Sequence, residues 1–249
     1  MRNRTFLYLK HKAHSSFSFS EKNALEVLKA LNFQLEPAID HYYTHGLAST
    51  NSSCNLTQIQ AMFVKYVDQA TGCIGVDGLV AFCSDLDVDP SDIAMLCISH
   101  HMNAATMLEY TKEEWSNGMI KMQVDSIDKL KRKLPELRGE VHNEEKFHEL
   151  YLYTFGFLCE KGKKCVELES AQGMWKLLFS GPRHWPLVDD WCEFLGSQYK
   201  DRAISRDTWN QLYDFTKQTK PDLSNFDETA AWPVMIDEFV EWKKSQDGR

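Results

Sequence analysis

The 249-residue chain carries none of the short motifs that mark common catalytic sites: no GxSxG, no HExxH, no P-loop and no GxGxxG. A nucleophile elbow, a zincin helix and a phosphate-cradling glycine loop are therefore not indicated. Its seven cysteines, Cys54, Cys73, Cys83, Cys97, Cys159, Cys165 and Cys192, are odd in number and form no CxxC pair. That pattern excludes a regular disulfide framework and a zinc knuckle, and it suits a reduced, intracellular protein. No surplus of basic residues exists either. With a formal net charge of −8, broad phosphate binding and hence nucleic-acid partners are not expected. No apolar run approaches the roughly 20 residues that span a bilayer, so no membrane segment is expected. The N-terminal FLYL run is too short for a signal peptide, and the Met-Arg start removes the Met-Gly signal for myristoylation. The sequons at Asn3, Asn51 and Asn55 are accordingly expected to have no consequence.

What remains is an ordinary hydrophobic fraction of 43%, with seven tryptophans and fourteen phenylalanines, enough for a sizeable core. No β-alternation of useful length occurs. Helical spacing dominates instead, as in residues 56–69, where Ile59, Met62, Phe63 and Val67 share a stripe. A second helix is predicted over 77–86, and a third opens at Pro90-Ser91 and runs to His101. Thr111 and Glu114 form a capping box. Residues 144–162 and 168–181 read as helices ending near glycine. The fold class is all-α. The expected organisation is a small helical module over 1–46, a turn-rich linker over 47–55 and a larger helical domain over 56–245.

Candidate chemistry fares poorly on inspection. The Asp68–Leu79 segment, DQATGCIGVDGL, has the length of an EF-hand calcium loop, but Ala70, Gly72 and Leu79 stand where oxygen ligands belong. It reads as an EF-hand-like helix pair without metal. His100 and His101 are adjacent, so they point to different sides of a helix, with no cysteine pair nearby. His184 and Cys192 have at best helical same-side spacing, and a buried structural thiol is the simpler reading. The pairs Glu113-Glu114 and Asp189-Asp190 suit the first turns of helices. No catalytic residue, metal or cofactor is expected.

The C-terminal block Asp201–Trp242 is different. Asp207 follows a probable N-cap, Ser205, and Pro233 stands at a helix start. Trp232, Met235, Ile236 and Phe239 recur at helical spacing, leaving Asp237, Glu238 and Glu241 on another face. Asp207 could serve only its own helix N-terminus. An acidic helical hairpin nevertheless suits a basic protein partner.

These same residues, ISRDTWNQLYDF, DLSNFDE and AWPVMIDEFVEW, resemble the C-terminal half of the potentiating-neddylation domain of the defective-in-cullin-neddylation (DCN-like) family. The resemblance continues through IGVDGLVAFCSDLDVDP, the AAT run at Ala104, DSIDKLKRKLP, FHELYLYTFGF and MWKLLF, in order over roughly residues 56–242. It implies a scaffold co-ligase without its own chemistry, which joins a cullin and its bound RING protein to the neddylation conjugating enzyme. It implies a cullin-binding Asp-Ala-Asp trio, here Asp207, Ala231 and Asp237. It also implies an apolar pocket for the conjugating enzyme's acetylated N-terminal methionine. In register that pocket maps onto Leu79, Met95, Ile98, Met102, Leu108, Tyr110, Phe157, Met174 and Leu177. Met95, Leu108 and Met174 depart from the residues of animal members.

The N-terminal module, through SEKNALEVLKAL and AIDHYYTH, resembles the second and third helices of a ubiquitin-associated domain. That implies ubiquitin or a ubiquitin-like modifier as a further partner. The lack of targeting signals together with the DCN-like resemblance implies nucleus and cytoplasm, without separating the two. The alternatives are a ubiquitin-binding adaptor, an EF-hand-like calcium sensor without a role in modification, and a thiol enzyme using Cys192 or Cys159.

Overall fold

The computed structural model describes residues 54–200 and 202–248. The predicted module over 1–46 and the linker up to residue 53 lie outside them. Ten α-helices make up most of the described chain, and only four residues are in strands.

α1 (Leu56–Tyr66) starts where the Asn55 side chain accepts backbone N–H bonds from Thr57 and Gln58. α2 (Val76–Leu86), α3 (Ile93–Met102) and α4 (Lys112–Lys121) follow. The two helix–loop–helix units meet through their loops: Ile74 and Tyr110 exchange backbone hydrogen bonds of 2.9 Å in an antiparallel bridge. An EF-hand-like helix pair around Asp68–Leu79 is expected from sequence; the backbone bridge that couples its loop to a second one is a finding of the structure. Asp68 spends its carboxylate within its own loop, accepting from the Ala70 N–H at 2.8 Å and from the Thr71 hydroxyl. Trp115, fully buried, packs edge-on to Phe82 at 5.0 Å and donates its indole N–H to the Ile59 carbonyl. Gly78 is required there, because a Cβ would lie 2.1 Å from the Tyr66 carbonyl oxygen.

α5 (Ile127–Gly139) tolerates Pro135 and runs into a short 3₁₀ turn, Glu140–His142. α6 (Glu144–Leu158) is capped by Asn143. β1 (Cys165–Val166) then leads to α7 (Leu168–Leu178), α8 (Val188–Gln198), β2 (Ile204–Ser205), α9 (Arg206–Gln218) and α10 (Val234–Asp247). The two strands pair antiparallel, Cys165 with Ser205 and Val166 with Ile204. Periodicity alone cannot reveal so short a ladder. α6 and α7 end three or four residues before Gly162 and Gly181, which adopt positive φ in the following turns.

The second half of the core is aromatic. Trp175 stacks on Trp209 at 5.0 Å, and Trp191 meets Phe239 edge-on at 5.2 Å. Trp175, Trp191, Trp209, Tyr151 and Phe239 are all fully buried. Polar atoms buried this deeply generally need partners inside, which the Trp191 indole N–H lacks among the described residues. Tyr151 and Trp209 supply these to each other, and the Trp175 indole donates to the Tyr151 hydroxyl at 3.1 Å.

Candidate functional site

Three features hold Asp207 in place. The β1–β2 ladder, with Val166 and Ile204 buried, fixes where α9 begins. Ser205 caps the helix, its hydroxyl accepting the Thr208 N–H at 3.0 Å, as its position in the sequence suggested. Two residues on, Trp209 sinks into the core and turns Asp207 outward, where it is exposed. The cap is served by Ser205, so the Asp207 carboxylate makes no ion pair among the described residues.

Ala231 lies in the loop between α9 and α10. The loop closes on itself: Asn225 donates to the Gln218 carbonyl and accepts from the Lys220 N–H, both at 2.7 Å. Leu223 is buried there in a left-handed conformation, at φ 57°. Trp232 packs edge-on to Phe215 at 5.8 Å and stacks with Phe226 at 6.4 Å. Drawing this ring inward leaves Ala231 exposed. Pro233 forms the N-cap of α10, one position earlier than a first-turn proline.

Asp237 lies in the first turn of α10, partly buried. Burial and the Glu241 carboxylate one turn on both raise its pKa. The helix is tied down elsewhere. Tyr199, the C-cap of α8, hydrogen-bonds Glu238, Lys243 pairs with Asp190 at 3.3 Å, and Lys244 pairs with Glu228 of the loop at 3.0 Å. Asp190, expected to be a first-turn charge, therefore also clamps α10.

The nine apolar pocket positions divide differently. Leu79, Met95, Ile98, Met102, Tyr110 and Phe157 are all buried. The Tyr110 hydroxyl shares a 2.6 Å bond with Ser99, and burial pushes its pKa up to about 12. Met102 sits against Gly118, where a Cβ would be 2.3 Å from the Met102 Cγ. The 103–111 loop is joined to the end of α6 by the Met107 N–H, which donates to the Phe157 carbonyl at 2.9 Å. Leu108 at the tip of that loop is 49% exposed, in a left-handed conformation at φ 68°. Met174 and Leu177 come from α7 and are half-buried.

The other candidates are embedded in structure. His100 packs against Tyr153 with tilted rings 4.9 Å apart, while the His101 ring contacts the Glu140 carboxylate at 2.9 Å. Burial of His100 lowers its pKa. Cys192 is buried over the Gln172 carbonyl, and burial pushes its thiol up to about 11, whereas His184 is exposed. Burial raises Cys159 as well. Neither thiol is activated. Among the described residues no group of three or more His, Cys, Asp or Glu side chains is placed to hold a metal ion.

A family model described as cullin binding matches residues 129–242. The chain is 37% identical over 171 residues to DCN1-like protein 5 of Homo sapiens, covering 69% of this chain and 71% of that protein. The chain belongs to the DCN1-like family. It is also 37% identical over 198 residues to human DCN1-like protein 3, covering 78% of this chain but 65% of the relative. To the Mus musculus protein of that name it is 38% identical over 192 residues, covering 76% of this chain and 63% of the relative.

In this DCN1-like chain, sequence reasoning passed over three exposed apolar residues beside the pocket region. Val76 and Val80 are one turn apart on α2, and Met107 adjoins Leu108. The only sequence signal for the two valines was their place at the edge of a helical stripe whose neighbours are buried, while Met107 lies in a loop, where periodicity carries no signal. Also overlooked was Val234, at 67% the most exposed large hydrophobic residue among the described residues.

Proposed function

We propose that the chain is a non-catalytic scaffold that promotes attachment of a ubiquitin-like modifier to cullins. Asp207, Ala231 and Asp237 receive the winged-helix end of the cullin, whose RING protein completes the ligase. What carries this reading is the cullin-binding match over residues 129–242: all three residues fall inside it, and none is buried. Among the described residues neither carboxylate has an ion-pair partner and Ala231 is exposed, which supports a surface that basic side chains can approach closely. Such charges govern orientation and on-rate more than raw affinity.

The second half of the proposal is the apolar pocket. It takes the acetylated N-terminal methionine of the conjugating enzyme against Leu79, Met95, Ile98, Met102, Leu108, Tyr110, Phe157, Met174 and Leu177. Leu108 and Met107 supply the accessible rim, and the buried members are reached when the 103–111 loop gives way. Burying a methionine side chain is worth about 1.5–3 kcal/mol, which supports that opening. Acetylation removes an amine charge that would be costly to bury. Rate is gained by effective concentration and orientation, not by side-chain chemistry.

The test is a reconstituted neddylation reaction with and without the full chain, using acetylated and unacetylated conjugating enzyme. Cullin modification should accelerate, and more so with the acetylated enzyme. No acceleration with either form would overturn the reading.

A further inference from the structure

Residues 230–235, Ala-Ala-Trp-Pro-Val-Met, are six consecutive apolar residues of which none is buried. Other apolar runs among the described residues reach the core: Leu178 and Phe179 are buried, as is every residue from Ala94 to Ile98. Four of the six are half-buried, Trp232 and Met235 against the core, so the uncovered part is Ala231 and Val234. The Trp232 ring packs on Phe215 and Phe226, and that contact leaves both of them outside.

α10 continues the same surface. Its buried face is Ile236, Phe239 and Val240. Val234, Asp237 and Glu241 follow at i, i+3 and i+7, so they form one stripe on the far side of the helix. Asp237 and Glu241 make no ion pair among the described residues, whereas Glu228 and Asp190 on the flanks are paired with Lys244 and Lys243. The stripe therefore presents an aliphatic end and two uncompensated carboxylates one turn apart.

We propose that Val234 and Glu241 extend the docking face beyond the three residues named above, with Val234 as its apolar anchor. The occupant is a partner segment that sets an aliphatic side chain on Val234 and a lysine or arginine between Asp237 and Glu241. The inference rests on the cullin-docking reading, but it assigns that partner a mixed apolar and basic chemistry rather than a purely charged one. Apolar contact is indifferent to salt, while exposed charge pairs are screened within about 10 Å at 0.1 M ionic strength. The two parts of the stripe are thus separable.

The experiment titrates a cullin C-terminal fragment onto the full chain by calorimetry at low and high salt. It compares the parent with Val234→Ser, Glu241→Gln and Asp237→Lys. Val234 and Glu241 are exposed, so circular dichroism should show each variant folded. Val234→Ser should weaken binding about tenfold or more at both salt concentrations. Glu241→Gln should weaken it several-fold at low salt and little at high salt. If Val234→Ser binds within twofold of the parent while Asp237→Lys does not bind, the anchor is refuted and the docking reading stands. If Asp237→Lys also binds like the parent, the docking reading falls and this inference with it.

Discussion

Tyr151 and Trp209 hold each other by two reciprocal hydrogen bonds: the Tyr151 hydroxyl donates to the Trp209 carbonyl at 2.8 Å, and the Trp209 indole N–H donates to the Tyr151 carbonyl at 3.0 Å. Their rings stack at 5.0 Å. The pair welds α6 to the first turns of α9, two residues beyond Asp207. Tyr151→Phe keeps the ring but leaves the Trp175 N–H without its partner in a dry site and takes from the Trp209 carbonyl the bond it accepts beyond the helix. A stability loss of about 1–3 kcal/mol is expected in urea denaturation, with cullin binding retained by the folded fraction. An unchanged denaturation midpoint would show that the pair contributes nothing.

Asp207→Lys and Ala231→Arg should each abolish cullin binding without unfolding the chain, because both positions are exposed and Ser205 rather than Asp207 caps α9. The melting temperature should stay close to that of the parent, as for ordinary surface substitutions. Pull-down of cullin by both variants would refute the assignment of these positions.

Asp237 separates binding from stability. Its pKa is raised by burial and by Glu241, so its charge opposes folding. The cost is fully present above the folded-state value and disappears as pH falls below the unfolded one, the reverse of a salt-bridged carboxylate. Asp237→Asn should therefore leave stability at pH 7 unchanged or slightly higher while weakening cullin binding. A loss beyond about 0.5 kcal/mol would mean that the carboxylate supports the fold instead.

Glu144 behaves in the opposite way. Hydrogen bonds from Lys217 and Tyr213 of α9, with Arg183 alongside, lower its pKa to about 2. Its contribution is present above the ordinary carboxylate value, near 4.5, and is lost as pH falls from there toward 2. Half-exposed, it should be worth no more than about 1 kcal/mol after screening. Denaturation midpoints from pH 7 to pH 3 should fall less in Glu144→Gln than in the parent. Parallel profiles would rule out a role for this cluster.

Thiol chemistry supplies a further check. Burial pushes Cys97 up to about 12 and Cys192 up to about 11. Neither should react with iodoacetamide at pH 7.5 until the chain is unfolded, and Cys192→Ala should sustain full neddylation-promoting activity. Rapid native alkylation that stops the reaction would revive the thiol enzyme.

Local signals proved legible wherever they depend on neighbours within one turn. The Thr111–Glu114 capping box and the Ser205 cap form as expected, whereas the Ile74–Tyr110 bridge, between residues far apart in the chain, is seen only in the structure. Helix ends were less legible: Asp92 rather than Pro90-Ser91 starts α3, and α6 stops at Leu158, short of Gly162. A stop depends on where the next segment packs, as with the β1–β2 ladder.

By itself the sequence determined that the chain is helical, that its aromatic residues form a core and that its motifs stand in DCN1-like register. These follow from spacing and residue type, which the chain carries wherever it goes. Only the tertiary structure decided which apolar stripes are covered. Met95, Ile98 and Val234 all lie in helical stripes, yet the first two are packed shut against neighbouring elements and the third faces outward. Periodicity gives the direction of a side chain around its own helix. Whether another element waits in that direction is settled by contacts between residues far apart in the chain.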